Sequence, residues 1–285
     1  MISVCIPVYN GERYLRLALE SVLAQDFGDF EIVIGDDAST DGTRALCRSF
    51  ADPRIRLLGF DRNLGLAGNW NRTIEACRGT FLKYLAQDDL LAPGALSAFH
   101  AAAQRYPGHS FFYCRNEQIG ERGEHLRWRG PPLTKSVQAP GELLRMLFDD
   151  GNQVGGPTNT FLRTSAVAEV GAFDARCRYA LDWILWVQLA RRHGAIYLDQ
   201  PWVRVREHTG SVSHALAGDR AWWDGYLALR VLREREPVLL PWLRRGQLNL
   251  WRGLPRQLAR RILFERRLPI GMLRHAAEMF RDGIW

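Results

Sequence analysis

Two pairs of adjacent aspartates, Asp36–Asp37 and Asp88–Asp89, each stand at the end of an apolar run of the sequence. Two like charges side by side are costly unless a cation or hydrogen-bond donors offset them. Acids also repel a bare phosphate, so a phosphorylated ligand would need a divalent cation as a bridge. The pairs therefore predict an acidic site that binds a nucleoside diphosphate through Mg²⁺ or Mn²⁺.

The elements that would position these acids alternate between strand and helix patterns. Strands separated by helices of about ten to fifteen residues indicate right-handed βαβ units and a mainly parallel sheet. Ligands bind beyond the carboxyl ends of such strands. Three ends, at Pro7–Glu12, Asp36–Asp37 and Gln87–Asp89, would thus converge on one acidic cleft. The predicted strands are 3–8, 30–37, 55–60, 80–86 and 110–116, and the predicted helices are 12–25, 41–51, 66–79 and 93–106.

The regular alternation ends after residue 117. A stretch rich in Gly, Pro and charge predicts a hairpin or long loop, and the Gly-rich segment "DDGNQVGGPTNTFLR" follows a predicted helix. The amphipathic "DWILWVQLARRHG" predicts a helix that ends at its glycine. The segments concerned are the loop 117–136, helices at 140–149, near 165–170 and at 182–194, an extended stretch at 195–208, and a helical pattern from about 216 to the end.

Composition and missing motifs exclude several classes of protein. Five cysteines without C-x-x-C spacing predict reduced thiols in a cytosolic protein, with neither a disulfide framework nor a zinc ribbon. The sequence has no signal-peptide pattern and no apolar run of about eighteen residues, so no transmembrane helix is expected. It contains neither G-x-x-x-x-G-K-[ST] nor G-x-S-x-G, which argues against P-loop nucleotide hydrolases and serine hydrolases.

Several ordered motifs resemble those of family-2 glycosyltransferases with the GT-A fold. They are "SVCIPVYNGERYLRLALESVLAQDFGDFEIVIGDDASTDGT", "RNLGLAGNWNRTIEACRGTFLKYLAQDDLLAPGAL", "VGAFDARCRYALDWILWVQLARRHG" and "VRVREHTGSVS", and they span roughly residues 2–214. The resemblance implies an α/β fold with a single, mostly parallel, Rossmann-like sheet flanked by helices. It implies a catalytic domain at 1–215, with a nucleotide-binding half (1–116) and an acceptor-binding half (117–215), followed by a basic helical extension at 216–285.

The resemblance also implies a donor site, position by position. Asp37 would accept a hydrogen bond from the imide N–H of uracil or thymine. Asp89 would bind the metal that bridges the two phosphates, and Asp88 would contact the ribose or a metal-bound water. His208 would complete the metal or diphosphate site. The residues that would line the base and ribose pocket are Pro7, Val8, Tyr9, Asn10 and Glu12.

On the acceptor side, the resemblance assigns Asp182 as the catalytic base. One carboxylate would deprotonate the acceptor hydroxyl as it attacks the anomeric carbon from the face opposite the leaving group. The alternative is that Asp182 only caps the helix at 182–194. Gly156 and Thr158 would approach the donor sugar or the acceptor, and Trp183 is a candidate for stacking on the acceptor. Core packing is the expected role of Trp186.

The net charge of +7 resides in the C-terminal tail, where residues 241–285 hold ten arginines and three acids. Basic helices with interleaved aromatics fit an interfacial helix on an anionic leaflet. The alternative is a helical cap that packs on the core and exposes its arginines to water. No recognition motif accompanies the basic charge, so a nucleic-acid partner is not expected.

The expected function is metal-dependent, inverting transfer of a sugar from a UDP- or dTDP-sugar to a saccharide or polyprenyl-linked acceptor, in surface polysaccharide biosynthesis. The expected location is cytoplasmic, with peripheral contact at the inner face of the cytoplasmic membrane. One alternative is a sugar-nucleotide pyrophosphorylase, but the loop "PVYNGERY" lacks the lysine and the glycine-rich sequence of that class. A second alternative is a non-catalytic protein that binds nucleotide sugars or serves as a scaffold.

Overall fold

The computed structural model of the chain describes residues 1–131, 136–211 and 219–246. Its first half alternates strands and helices as the sequence predicts, with one additional short strand. The elements are β1 (Ile2–Val8), α1 (Leu15–Leu23), β2 (Phe30–Asp36), α2 (Thr43–Arg48), β3 (Ile55–Gly59), α3 (Gly65–Glu75), β4 (Phe81–Tyr84), the short β5 (Leu90–Leu91), α4 (Ala95–Arg105) and β6 (Phe111–Ile119).

The first four strands form a parallel array in the order β3-β2-β1-β4. Every residue of β1 and β2 is buried, which is typical of parallel strands that are covered on both faces. Val4 of β1 pairs with Ile32 on one side and with Lys83 on the other. This register brings the carboxyl ends of β1, β2 and β4 to one edge of the sheet.

In the described residues of the second half, four more strands complete the sheet, and the helices α5 to α8 accompany them. The predicted helices at 140–149 and 182–194 are confirmed, whereas the Gly-rich segment contains a strand that the sequence did not predict. The elements are β7 (His125–Arg129), β8 (Val137–Gln138), α5 (Pro140–Asp149), a 3-10 turn (Pro157–Asn159), β9 (Thr160–Arg163), α6 (Thr164–Val170), α7 (Leu181–His193), β10 (Ala195–Arg206), α8 (Asp219–Arg235) and a second 3-10 turn (Pro237–Leu239).

All of these strands join one mixed sheet, whose main path is β3-β2-β1-β4-β9-β6-β10-β5. The predicted α/β class with a single helix-flanked sheet is confirmed. The predicted parallel arrangement holds for β1–β4 and for β6 with β10. The short strands β5, β7 and β8 pair antiparallel at the other side of the sheet, and β9 runs antiparallel between β4 and β6. The chain enters β9 from the turn at the carboxyl edge, so this strand must run opposite to its neighbours.

The two faces of the sheet are covered by separate hydrophobic clusters. Leu15 and Leu19 of α1 pack with Leu96 and Phe99 of α4 on one face. The other cluster joins α3, α5, α6 and α7, and it includes Leu229 and Leu232 of α8. The first helix of the predicted extension therefore packs on the same core as α7, so the described part of that extension is continuous with the domain. The division of the chain at 215 stays a prediction.

Most of the basic tail, residues 247–285, lies outside the described residues, and so does the predicted interfacial helix within it. Among the helices that are described, none combines the length and apolar character that crossing a bilayer requires.

Candidate active site

The ends of β1 and β4 are joined by the side chain of Gln87. Its Oε1 accepts a hydrogen bond from the Tyr9 backbone N–H at 2.9 Å, and its Nε2 donates to the Tyr9 carbonyl at 3.2 Å. Tyr9 itself is 46% exposed, whereas Pro7 and Val8 are buried as the last residues of β1. Among Pro7, Val8 and Tyr9, the side chain of Tyr9 is therefore the one that faces solvent.

The loops that follow β1 and β2 are held together by two predicted pocket residues. Asn10 adopts a left-handed backbone conformation with φ of 50°, and its Oδ1 accepts from the Thr40 N–H at 2.8 Å. The Glu12 carboxylate accepts from the Gly42 N–H at 3.0 Å. Both side chains therefore hold the loop after β1 against the loop after β2. Their direct contact with a nucleotide stays a prediction.

The first aspartate pair divides into two different environments. Asp36 is fully buried and forms an ion pair with Arg44. Asp37 is also buried, but its carboxylate accepts hydrogen bonds from the backbone N–H groups of Leu64 at 2.6 Å and Gly65 at 3.1 Å. Asp37 thus anchors the first turn of α3 to the end of β2. Its predicted contact with a base remains to be tested.

The structure brings Asp88 together with His208, which is 120 residues distant in sequence. The imidazole Nε2 lies 2.8 Å from Oδ2 of Asp88, and the side chains are 10% and 19% exposed, respectively. The ring of Tyr14 lies beside the imidazole, with centroids 5.0 Å apart. A carboxylate and an imidazole therefore share one partly open position at the carboxyl edge of the sheet.

Asp89 lies deeper than Asp88 and is only 5% exposed. One carboxylate oxygen accepts from the Thr158 hydroxyl at 2.6 Å, and the other accepts from the Arg206 backbone N–H at 2.9 Å. Burial, followed by the neighbouring Asp88 carboxylate, raises the pKa of Asp89. Asp88 is the more exposed of the two carboxylates, so the geometry favours Asp88 over Asp89 as the carboxylate that faces a ligand.

Thr158 is a buried link beneath the aspartate pair and has no open face toward a sugar. Its hydroxyl donates to Asp89 and accepts from the Ala86 backbone N–H at 3.0 Å. The carbonyl of Thr158 accepts from the buried ammonium of Lys83. Burial lowers the pKa of Lys83 to about 8. Gly156, two residues earlier, is exposed and remains a candidate for contact with a sugar.

Asp182 is the second residue of α7 and is not its N-cap residue, which is Ala180. The carboxylate accepts from the Trp183 N–H at 2.7 Å and from Nδ2 of Asn152 at 3.2 Å. The pKa of Asp182 is raised to about 7, mainly by burial and to a smaller extent by the negative charge of Asp224. The hydrogen bonds from Trp183 and Asn152 act in the opposite direction and lower it.

The two tryptophans of α7 both pack inward. The indole N–H of Trp183 donates to the Leu147 carbonyl at 3.0 Å, and its ring meets the edge of Phe148 at 5.2 Å between centroids. Trp186 is fully buried, and its N–H donates to the Gly155 carbonyl at 2.9 Å. The predicted core role of Trp186 is therefore confirmed, and Trp183 packs against α5.

One short segment connects the aspartate pair to Asp182. At one end of the segment, Thr158 donates to Asp89. At its other end, Asn152 donates to Asp182 and accepts from the Gly155 N–H at 3.1 Å. The segment 152–158 therefore sets the position of the carboxylates at the end of β4 relative to the carboxylate on α7.

Comparison with known families assigns the chain. The sequence model described as "Glycosyl transferase family 2" matches residues 3–171, which is more than half of the chain and includes both aspartate pairs. The chain is a family-2 glycosyltransferase. It is thus an enzyme of glycosyl transfer, as the motifs predicted.

Relatives of this glycosyltransferase include proteins of bacterial glycan assembly. The GalNAc(5)-diNAcBac-PP-undecaprenol beta-1,3-glucosyltransferase of Campylobacter jejuni is 33% identical over 132 residues, which cover 45% of this chain and 43% of the relative. The minor teichoic acid biosynthesis protein GgaA of Bacillus subtilis is 26% identical over 262 residues, which cover 84% of this chain and 54% of the relative.

Solved structures with a similar fold include two glycosyltransferases. The complex of S. aureus TarS 1–349 with UDP-GlcNAc is 19% identical, with a TM-score of 0.68 over 86% of this chain and 72% of the other. The mannosyltransferase PcManGT from Pyrobaculum calidifontis in complex with GDP-Man and Mn²⁺ is 18% identical, with a TM-score of 0.62 over 99% and 81%. At these identities the likeness establishes the fold, which is GT-A.

Three charged residues of this glycosyltransferase contribute to the site although the sequence did not single them out. Lys83 interrupts an apolar strand, which is a signal for a buried ammonium with partners. Arg206 is the last residue of β10 and precedes the predicted site residue His208 by two positions. Its guanidinium donates to the carbonyls of Asp88 and Gly120 at 3.0 and 2.9 Å. Asp224 lies beyond the family motifs, and no sequence signal marks it.

The link through Thr158 leads to a prediction about stability. The substitution Thr158→Val keeps the volume but leaves the Ala86 N–H without its acceptor and Asp89 without one of its donors. We expect the free energy of unfolding in urea to fall by about 1–3 kcal/mol. Thr80→Val, at an exposed position, is the matched control and should change it by less than about 0.5 kcal/mol. Equal stabilities of the two variants would contradict the link.

Proposed function

We propose that this glycosyltransferase moves a sugar from a UDP- or dTDP-sugar to a hydroxyl group of a saccharide or polyprenyl-linked acceptor, with inversion at the anomeric carbon. The observation that carries the proposal is the pairing of Asp88 with His208 at 2.8 Å. The same segment that buttresses Asp89 beside this pair also contacts Asp182. A candidate diphosphate site and a candidate base are therefore set at opposite ends of one segment.

The pair Asp88–His208 fits a divalent cation such as Mg²⁺ or Mn²⁺. Such ions are commonly held by one or two protein ligands together with the phosphates of the substrate. Among the described residues, no group of three or more His, Cys, Asp or Glu side chains is placed to hold a metal ion. The bound ion would neutralise charge on the departing nucleoside diphosphate. The complex of PcManGT with Mn²⁺ supports a metal in this fold.

Asp182 would act as the base that accepts the proton of the acceptor hydroxyl. A general base works best when its pKa lies near the operating pH, and the pKa of Asp182 is raised to about 7. Asp182 is partly exposed, so a hydroxyl group can reach it. The attacking oxygen would approach the anomeric carbon opposite the nucleoside diphosphate, and the stereochemistry at that carbon would invert.

The nucleotide pocket would be formed at the ends of β1 and β2. Asp37 would accept the imide N–H of uracil or thymine through lone pairs that Leu64 and Gly65 leave available, since each carboxylate oxygen can accept more than one hydrogen bond. Pro7, Val8 and Tyr9 would line the base. The TarS complex with UDP-GlcNAc supports a uridine nucleotide on this fold.

The proposed lipid-linked or polymeric acceptor is supported by the names of two relatives. The C. jejuni protein is named for an undecaprenol-linked acceptor, and GgaA for teichoic acid biosynthesis. We therefore extend the proposal to surface polysaccharide biosynthesis. Work on a polyprenyl-linked acceptor would take place at the inner face of the cytoplasmic membrane, because the lipid anchors the acceptor there.

A thermal-shift screen tests the donor and metal together. We expect Mn²⁺ with UDP, dTDP or one of their sugar conjugates to raise the melting temperature, because a ligand at a hundred times its Kd adds about 2.7 kcal/mol of stability. Addition of EDTA should remove most of the shift. The variant His208→Ala should show a smaller shift at the same nucleotide concentration.

The control for the screen is a set of purine nucleotide sugars under the same conditions. A larger shift with GDP-mannose than with the uridine and thymidine compounds would contradict the proposed donor. Full shifts in the presence of EDTA would contradict the proposed metal.

A further inference from the structure

One carboxylate of helix α8 binds the backbone of the loop just before α7. The carboxylate of Asp224 accepts hydrogen bonds from three consecutive backbone N–H groups, those of Arg178 at 3.0 Å, Tyr179 at 2.6 Å and Ala180 at 2.7 Å. Asp224 is only 7% exposed. The three N–H groups end at the N-cap of α7, and Asp182 follows two residues later.

Two ion pairs fasten the same loop to α8 at the other end of the helix. Arg235 of α8 contacts the carboxylate of Asp174 at 2.8 Å. Arg176 binds Asp174 at 2.9 Å and also pairs with Glu234 of α8. Both Arg176 and Glu234 are about half exposed, so their pairing is worth little. The ion pair of Arg235 with the buried Asp174 and the buried contact of Asp224 are therefore the stronger attachments, and the contact of Asp224 is the one next to α7.

We propose that Asp224 is a positioning residue for glycosyl transfer, because its carboxylate fixes the backbone of residues 178–180 and thereby aims Asp182 from the first turn of α7 at the acceptor. This inference rests on the proposed role of Asp182 as the base. It extends the functional unit of the enzyme past residue 215, into the helix that follows the family motifs.

The positioning matters because a catalytic group displaced by about 1 Å can lose about a hundredfold in rate. Without Asp224, three adjacent N–H groups would lack their acceptor, and the loop would have to rearrange or take up water to satisfy them. Since α7 begins at Leu181, any movement of residues 178–180 is transmitted directly to Asp182.

Asp224 also changes the electrostatics at Asp182. The groups that act on this carboxylate are the neutral amide of Asn152 from the loop after α5, the backbone N–H groups of Asp182 and Trp183 in α7, and the charged Asp224 of α8. Burial is the main cause of the raised pKa of Asp182, and Asp224 raises it further. Removing the charge at Asp224 should therefore lower the pKa of Asp182 and let the base work at lower pH.

The test compares Asp224→Asn with Glu234→Gln. Asparagine has the shape of aspartate and can still accept hydrogen bonds through its single oxygen, but it lacks the charge. Glutamine at 234 is the matched control, because Glu234 lies on the same helix and contacts the same loop without meeting the three N–H groups. Turnover is measured with water as the acceptor of the glycosyl group, as release of the nucleoside diphosphate from UDP-glucose, UDP-GlcNAc or dTDP-glucose with Mn²⁺, as a function of pH.

For Asp224→Asn we expect kcat to fall about tenfold or more, while the donor KM stays within about twofold. The acid limb of the kcat profile should move to lower pH, a change that a purely structural role would not produce. An NMR titration of the ¹³C-labelled aspartates, with the Asp182 signal assigned by its loss in Asp182→Asn, should show the same downward shift. Glu234→Gln should leave kcat and the acid limb unchanged.

A kcat and an acid limb like those of the wild type in Asp224→Asn would overturn the inference. If the Asn variant does not fold, Asp224→Glu decides the question. That variant keeps the charge but moves the carboxylate by one methylene, so kcat should fall with the acid limb in place, and a wild-type kcat would overturn the inference. The proposed role of Asp182 as the base fails separately, if Asp182→Asn retains transfer. The NMR titration distinguishes the two failures, because it reports the effect of Asp224 on the pKa of Asp182 without any need for turnover.

Discussion

The substitution Asp182→Asn is expected to reduce sugar transfer by about 10²–10⁴-fold while nucleotide binding stays as in the wild type. Asparagine preserves the shape of the side chain and can still accept from Trp183 or Asn152, so α7 should keep its place. What it loses is the ability to take a proton. In the wild type, activity should decline as the pH falls below about 7, because Asp182 becomes protonated there.

The same substitution should stabilise the fold at neutral and alkaline pH. The pKa of Asp182 rises from 3.8 to about 7 on folding, so the folded state favours the protonated form. The free energy of unfolding of the wild type is therefore lowered as the pH rises from about 4 to 7. We expect Asp182→Asn to be more stable than the wild type by on the order of 1–3 kcal/mol at pH 8, and equal to it near pH 4.

Urea denaturation at the two pH values, together with calorimetric titration of the nucleotide, measures both parts of this prediction. Asp150→Asn, at an exposed position after α5, is the control and should change neither transfer nor stability. Transfer at the wild-type rate by Asp182→Asn would remove the base assignment and leave a structural acid on α7. If Asp182→Asn binds the donor normally but is inactive where the wild type is active, the wild type is not merely a non-catalytic scaffold.

The second large effect concerns the division of roles between Asp88 and Asp89. Asp88→Ala should weaken metal-dependent binding of UDP or dTDP by about a hundredfold or more, because it removes a carboxylate ligand beside His208. The melting temperature in the absence of ligand should change little, since Asp88 is 19% exposed and its side-chain partner is His208. Calorimetry with and without Mn²⁺ measures the loss.

Asp89→Ala should act mainly on the fold. It leaves the Thr158 hydroxyl and the Arg206 N–H without their common acceptor and opens a void under the site, at a cost on the order of 2–4 kcal/mol. The opposite pattern would identify Asp89 as the direct metal ligand, as the family resemblance implied. In that pattern, the Asp89→Ala variant would be stable but would lose metal-dependent binding of UDP or dTDP, and the Asp88→Ala variant would bind the nucleotide normally.

Much of the fold was accessible from local patterns in the sequence. The apolar runs of β1 and β2 predicted buried parallel strands, and the three polar strand ends predicted one site at the carboxyl edge. These features depend on neighbours in the chain and on the common direction of parallel strands. The antiparallel β9 escaped prediction, because its Gly-rich surroundings suggest a loop and its partners lie in β4 and β6.

The roles of individual carboxylates depended on contacts between distant residues. His208 and Asp88 were both predicted for the site, and the fold brings them to 2.8 Å. That Asp89 is the buried member of its pair follows from Thr158 and Arg206, which lie 69 and 117 residues away in the sequence. Asp224 could not be found from sequence motifs, because it lies beyond them.

The sequence by itself determined the family, the α/β class and the set of acids at the strand ends, because strand and helix periodicities and short motifs are local properties of the chain. Only the tertiary structure decided which internal partners each acid has, and that Asp88 is the more exposed member of its pair. The physical reason is that burial and hydrogen bonding, which set the charge state and the direction of a carboxylate, come from elements that the chain brings together only on folding.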